Sequence, residues 1–82
     1  MKILAKLCTG AEQVHNGKCY FIGACLGNTQ VHNMEAGGPA GNSNKIADGD
    51  SYNSYVMLPK PGVECSNGLY VTNDCILYYS LG

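Results

Sequence analysis

In no window of ten or more residues do apolar side chains recur at spacings of three and four, so the chain carries no amphipathic helix pattern. Its apolar residues fall instead into short runs divided by Gly, Asn, Asp and Pro, the residues that supply turn geometry. Residues 1–7 alternate, with Ile3, Ala5 and Leu7 on one face and Lys2 and Lys6 on the other, which predicts a half-buried strand. Residues 18–26 are apolar at both parities, Cys19, Phe21 and Cys25 on one side and Tyr20, Ile22 and Leu26 on the other. That pattern predicts a strand buried on both faces. A more polar strand is expected over 29–34, and further strands over 54–58, 63–65, 69–72 and 75–81. About seven short strands make the expected fold class all-β: a small antiparallel β-sandwich or jelly-roll-like barrel, in one domain over residues 1–82.

The turns set the expected pairings. Asn73-Asp74 reads as a two-residue hairpin turn that places Thr72 opposite Cys75, Val71 opposite Ile76 and Tyr70 opposite Leu77. Asn16-Gly17 reads as a second such turn, and extending its register outward sets Cys8 opposite Cys25, a pair that could be bridged. Thr9, Gly10, Ala11 and Glu12 make a poor strand, which argues against so long a hairpin. Residues 35–53 are rich in Gly, Asn, Ser, Asp and Pro and read as one long loop, with a short strand over 45–47.

Composition narrows the function. A chain of 82 residues buries only about 60% of the surface its unfolded form exposes, so a large apolar area needs a disulfide, a metal or a neighbouring subunit to close it. Charged residues are 13% of the chain, roughly half the usual share, with Gly, Asn, Ser and Tyr in their place. The five basic residues are all lysines (Lys2, Lys6, Lys18, Lys45, Lys60) and are scattered singly. Without arginine there is no bidentate fork for phosphate or guanine, so no nucleic-acid partner is expected. No run approaches the roughly 20 apolar residues of a membrane span, and residues 1–8 are too short and too interrupted by Lys6 for a secretory segment. No membrane partner and no processing are expected.

The five cysteines form no C-x-x-C pair, and in a reducing compartment they read as small buried hydrophobes. His15 and His32 lie in Asn-containing segments and read as surface residues, with nothing to bring a cysteine nucleophile to a base. Asp48-Gly49-Asp50-Ser51 lacks the rest of a calcium loop, and Gly37-Gly38-Pro39-Ala40-Gly41 lacks the Lys-Ser/Thr of a phosphate loop. Glu12, Glu35 and Glu64 stand apart and form no catalytic pair. The expectation is no enzyme, no cofactor and no metal. The final strand repeats the two-sided pattern of residues 18–26, with Cys75, Leu77, Tyr79 and Leu81 against Ile76 and Tyr78. Two such strands exceed what one small sandwich can cover, so part of that surface is expected to be an interface. Tyr52, Tyr55, Met57 and Tyr79 are its candidate residues, since interfaces favour tyrosine and methionine over lysine.

The closing stretch from Pro61 to Tyr79, with a Gly-Leu-Tyr-Val strand from Gly68 turning into a final strand that ends in Tyr78-Tyr79, resembles the end of small β-sandwich virion proteins of tailed bacteriophages. The Lys-bearing opening strand, the Gly-Lys-Cys-Tyr-Phe-Ile-Gly strand from Gly17 and the Gly/Asn loop are similar to theirs as well. Cys19, Cys65 and Cys75 depart from the aliphatic or threonine residues usual there. The resemblance implies a head-decoration or cement protein located in the virion and assembled in the host cytoplasm. Such a subunit is a homo-oligomer, often a trimer, that fastens the major capsid protein or other virion subunits. A rival reading is a carbohydrate-binding or tail/fibre component in which Tyr52, Asn53 and Tyr55 contact sugar.

Overall fold

Strands form where the sequence alternates, and the links between them decide which sheet each one joins. The computed structural model describes residues 2–49 and 54–82, and contains nine strands: β1 (Leu4–Cys8), β2 (Glu12–Asn16), β3 (Cys19–Leu26), β4 (Gln30–His32), β5 (Lys45–Asp48), β6 (Ser54–Met57), β7 (Val63–Cys65), β8 (Gly68–Val71) and β9 (Cys75–Ser80). All pairings are antiparallel. One sheet runs β1-β9-β3-β6, with β7 also paired to β3, and the other runs β2-β8-β4-β5. The all-β fold class expected from the sequence is thus observed, as a two-sheet sandwich.

Between the sheets lies a core of Cys8, Cys19, Phe21, Ala24, Cys65, Cys75 and Leu77 from the larger sheet and Val31, Leu69 and Val71 from the smaller. Val14, Ile46, Ala47, Val56, Leu58 and Tyr79 pack around it. Burying an aliphatic side chain of this kind stabilises the fold by about 1.5–3 kcal/mol, so Leu69 and Leu77, both fully buried, are among its main holds.

Both predicted hairpins are overturned. β8 and β9 lie in different sheets, as do β2 and β3, so Asn73-Asp74 and Asn16-Gly17 cross from one sheet to the other. The reason is visible in the pairs the hairpin would have made: Val71 beside Ile76 and Tyr70 beside Leu77 would mix buried with exposed side chains on each face. Crossing instead lets Leu69 and Val71 meet Leu77 from the opposite side of the core. The link is fastened to the entry of β4, where Thr72 N donates to Gln30 O (3.1 Å), Gln30 N to Thr72 Oγ1 (2.9 Å) and Thr29 Oγ1 to Asp74 O (2.6 Å). At the other end Gly17 N donates to Asn67 O (2.9 Å), tying two such crossings together.

Two further expectations change sign. Ala5 and Leu7 do share one face of β1, with Ile3 just before it, but that face is turned outward, and Leu4 and Cys8 point the other way. In β3 the register against β9 shifts between Phe21 and Gly23, so Ile22 is the extra residue of a bulge. The bulge reverses parity: Cys19 and Phe21 face the core, as does Ala24, while Cys25 is moved to the outer face. Cys8 pairs with Cys75 rather than Cys25. His32 is also corrected, being buried rather than on the surface.

The described part of the predicted loop is ordered around Asn44. Its Oδ1 accepts from Gly41 N (3.1 Å) and faces His32 Nδ1 (2.8 Å), and its Nδ2 donates to Pro39 O (2.9 Å). The predicted strand over 45–47 is β5.

Candidate functional site

The strands of the larger sheet carry two apolar rows across their outer face. Residues directly opposite in an antiparallel ladder share a face, so the register gives each row without further assumption. The first row is Leu7 opposite Ile76, Ile76 opposite Cys25 and Cys25 opposite Tyr55, crossing β1, β9, β3 and β6. The second is Ala5 opposite Tyr78, Tyr78 opposite Gly23 and Gly23 opposite Met57. None of these eight residues is charged. With strands about 4.8 Å apart, each row is roughly 14 Å wide.

These side chains are open to solvent to a degree unusual for their type: Leu7 is 67% exposed, Tyr55 66%, Met57 46% and Ile76 38%. Ile3, 41% exposed, continues the β1 side. Gly23 makes the surface flat at its centre. A Cβ there would collide with the Val56 carbonyl oxygen and stand 2.9 Å from Met57 Sδ, so the missing side chain lets β6 and the Met57 thioether close over β3. Charged groups stand at one end of the face, where Glu64 is opposite Tyr20, Lys18 Nζ lies 5.8 Å from the Tyr20 ring centre, and Lys18 and Glu64 approach to 4.0 Å. The face thus has an apolar centre and charged groups at one end.

Of the candidate residues, Tyr55 and Met57 are brought together, two apart on the same face of β6. Tyr79 is not with them: it stands opposite Leu4 and Phe21 and packs against the core. Tyr52 lies outside the described residues. Sequence reading missed Leu7, Ile76, Cys25 and Tyr78, and the available signal was Gly23, since glycine inside an apolar strand marks a bulge or a close backbone approach.

The outer face of the smaller sheet differs in kind. Gln13 is opposite Tyr70, Tyr70 opposite His32 and His32 opposite Lys45. Gln13 Nε2 donates to His15 O (2.9 Å) and Met34 O (2.8 Å), and His32 Nε2 faces Gln30 Oε1 (3.2 Å). Lys45 Nζ is bonded to Asp48 (2.9 Å). An open cleft of about 380 Å³ between Asn16, Gly17, Glu35, Ala36, Ser66 and Asn67 has Glu35 as its one titratable lining residue, and Asn16 Oδ1 in it already accepts from Ala36 N (2.8 Å). Among the described residues, no three His, Cys, Asp or Glu side chains gather where they could hold a metal ion, and Asp50 and Ser51 lie outside those residues.

Every cysteine belongs to the larger sheet, and all five are free thiols. Burial pushes the Cys8 and Cys19 thiols above their ordinary range and the Cys65 and Cys75 thiols up to about 12. Such thiols are protonated and weakly nucleophilic at neutral pH. Compared with known proteins, the chain matches no family model, no curated protein and no solved structure.

Proposed function

We propose that this chain is a structural subunit that works by assembly, with the outer face of the larger sheet as its contact surface. In the form suggested by its resemblance to cement proteins, it is a decoration subunit of a phage head that fastens neighbouring copies of the major capsid protein. The observation that carries the reading is the pair of uncharged apolar rows across β1, β9, β3 and β6, exposed in the single subunit. Exposed apolar area of this continuity costs solubility in a lone subunit and is retained where a partner covers it. A small subunit can afford weak individual contacts, because a capsid lattice presents many of them at high effective concentration. No residue performs chemistry in this account.

The test is light scattering of the recombinant protein, followed by co-sedimentation with shells of the major capsid protein encoded in the same genome. The expected result is a small closed oligomer that sediments with shells and loses both properties when Leu7 and Tyr55 are replaced by lysine. A monomer that ignores shells overturns the reading. Glycan binding by that monomer, abolished by Tyr55→Ala, would replace it with the carbohydrate-binding one.

A further inference from the structure

Four of the five cysteines stand in two cross-strand pairs, Cys8 opposite Cys75 and Cys19 opposite Cys65. We infer that these are two disulfide sites, each of which closes when the protein meets a disulfide oxidant, and that Cys25 remains a free thiol. The geometry supports both bridges without rearrangement. Directly opposed residues in an antiparallel ladder have Cα atoms about 4.5 or 5.5 Å apart, and both values fall inside the roughly 4.4–6.8 Å that a disulfide spans. All four side chains point into the core: Cys8, Cys19 and Cys65 are fully buried and Cys75 is 7% exposed. Within each pair each thiol bears on the ionisation of the other, as close neighbours do.

Placement in the fold is the second argument. Cys8 is the last residue of β1, and Cys65 the last of β7. Among the described residues β1 pairs with β9 alone and β7 with β3 alone, so each is held there by a single ladder. Their partners Cys75 and Cys19 are the first residues of β9 and β3. Leu26, at the far end of β3 from Cys19, is opposite Cys75, so the two pairs stand at opposite ends of the sheet. The bridges would therefore staple two singly paired strands of the larger sheet, one at each end. Cys25 is on the other face of the same sheet, between Ile76 and Tyr55, and has no cysteine opposite it.

Each bridge forms by two exchange steps with a low-molecular-mass disulfide such as oxidised glutathione. One protein thiolate attacks a glutathione sulfur, breaking its S–S bond, releasing one glutathione thiolate and leaving a mixed disulfide. The opposed thiolate then attacks the protein sulfur of that mixed disulfide, forming the Sγ–Sγ bond and releasing the second glutathione. Two electrons pass from the cysteine pair to the glutathione disulfide, and the two cysteine protons end on the two glutathione thiols. Because the thiols are buried and held protonated, exchange requires β1 or β7 to open, so closure is slow in the folded protein.

The experiment equilibrates the reduced full-length protein in a glutathione buffer with reduced glutathione in roughly tenfold excess over oxidised, so that an unpaired thiol stays mostly reduced while an opposed pair closes, then quenches it in acid and alkylates it in denaturant without reductant. Intact mass and non-reducing peptide mapping are then read. The expected result is one alkyl group, on Cys25, and two linked peptide pairs, Cys8–Cys75 and Cys19–Cys65. The equilibrium constant for closure should exceed that of the same protein in strong urea by about a hundredfold or more, because the fold holds each pair in place. In Cys65→Ser, the Cys8–Cys75 bridge should persist with Cys19 and Cys25 alkylated; in Cys75→Ser, the Cys19–Cys65 bridge should persist with Cys8 and Cys25 alkylated. Five alkyl groups after equilibration, stable glutathione adducts on the four inward cysteines, or a bridge between any other two cysteines overturns the inference.

Discussion

The two sheets of this sandwich solve the problem of their outer faces differently. The smaller sheet covers its own: the loop between β4 and β5 folds back so that Asn44 meets the His32 ring, Met34 is buried, and its carbonyl receives Gln13. The larger sheet presents Leu7, Ile76, Tyr55 and Met57 without a covering segment among the described residues. The longest connection among the described residues, between β4 and β5, lies on the polar face, whose side chains need fixed hydrogen-bond partners. An apolar face needs only contact area, which a neighbouring subunit can provide. The contrast extends to the interior, since the larger sheet holds all five cysteines and the smaller none.

The largest effect expected from breaking this contrast comes from the cysteine pairs. Closing Cys8–Cys75, which encloses most of the chain, should stabilise the fold by on the order of 4 kcal/mol by the loop-entropy model. For a domain of this size that corresponds to a melting temperature higher by about 15 °C or more, read by calorimetry on oxidised and reduced samples. Hydrogen exchange should show the gain concentrated in β1 and β7, with β4 and β8 moving only with global stability. Equal exchange in both states would show that the bridges do not hold β1 and β7 against opening.

Next in size is His32→Ala. It should destabilise the protein by about 2–3 kcal/mol in urea unfolding, because it empties a buried site and leaves the Asn44 and Gln30 oxygens without the ring. If the contact is the larger sheet, as proposed, the oligomer mass should not change. Leu7→Lys with Tyr55→Lys should do the reverse: stability of the isolated subunit within about 0.5 kcal/mol, and self-association weakened tenfold or more in sedimentation equilibrium. A loss of association in His32→Ala with retention in the double lysine variant would exchange the roles assigned to the two faces.

Strand positions were largely legible, because period-two alternation and Gly/Asn punctuation mark them locally: β3, β5, β6, β7 and β9 stand where the sequence predicts strands. Partners were not. Asn16-Gly17 and Asn73-Asp74 carry the same residues in a hairpin turn as in a crossing between sheets, and only the burial of Leu69, Val71 and Leu77 from opposite sides decides between them. Alternation also tells which residues share a face without telling which face is inward. That is why Ile3, Ala5 and Leu7 are outside and why the bulge at Ile22 carries Cys25 outward with them. Tyr55 and Met57 were legible as candidate contact residues, whereas nothing singled out Leu7 and Ile76 until the pairing was known.

The smallest expected effect, per group, is a pH dependence confined to the reduced larger sheet. In the unfolded chain a cysteine thiol ionises near the ordinary value of 9.0, whereas burial pushes Cys65 and Cys75 up to about 12 and raises Cys8 and Cys19. Above pH 9 the unfolded state therefore holds fewer protons than the folded one, and stability must fall as pH rises. The thiol contribution is fully present below about pH 9 and is lost through the window up to about 12, at roughly 1 kcal/mol for each such thiol between pH 8 and 10. Groups other than these thiols are common to both redox forms, so the informative quantity is the difference between the two. The urea midpoint of the reduced protein should drop more steeply from pH 8 to 10 than that of the oxidised protein, whose four inward sulfurs no longer titrate. Parallel profiles would show that these thiols are not sealed in the core, and would remove the physical basis for slow closure of the bridges.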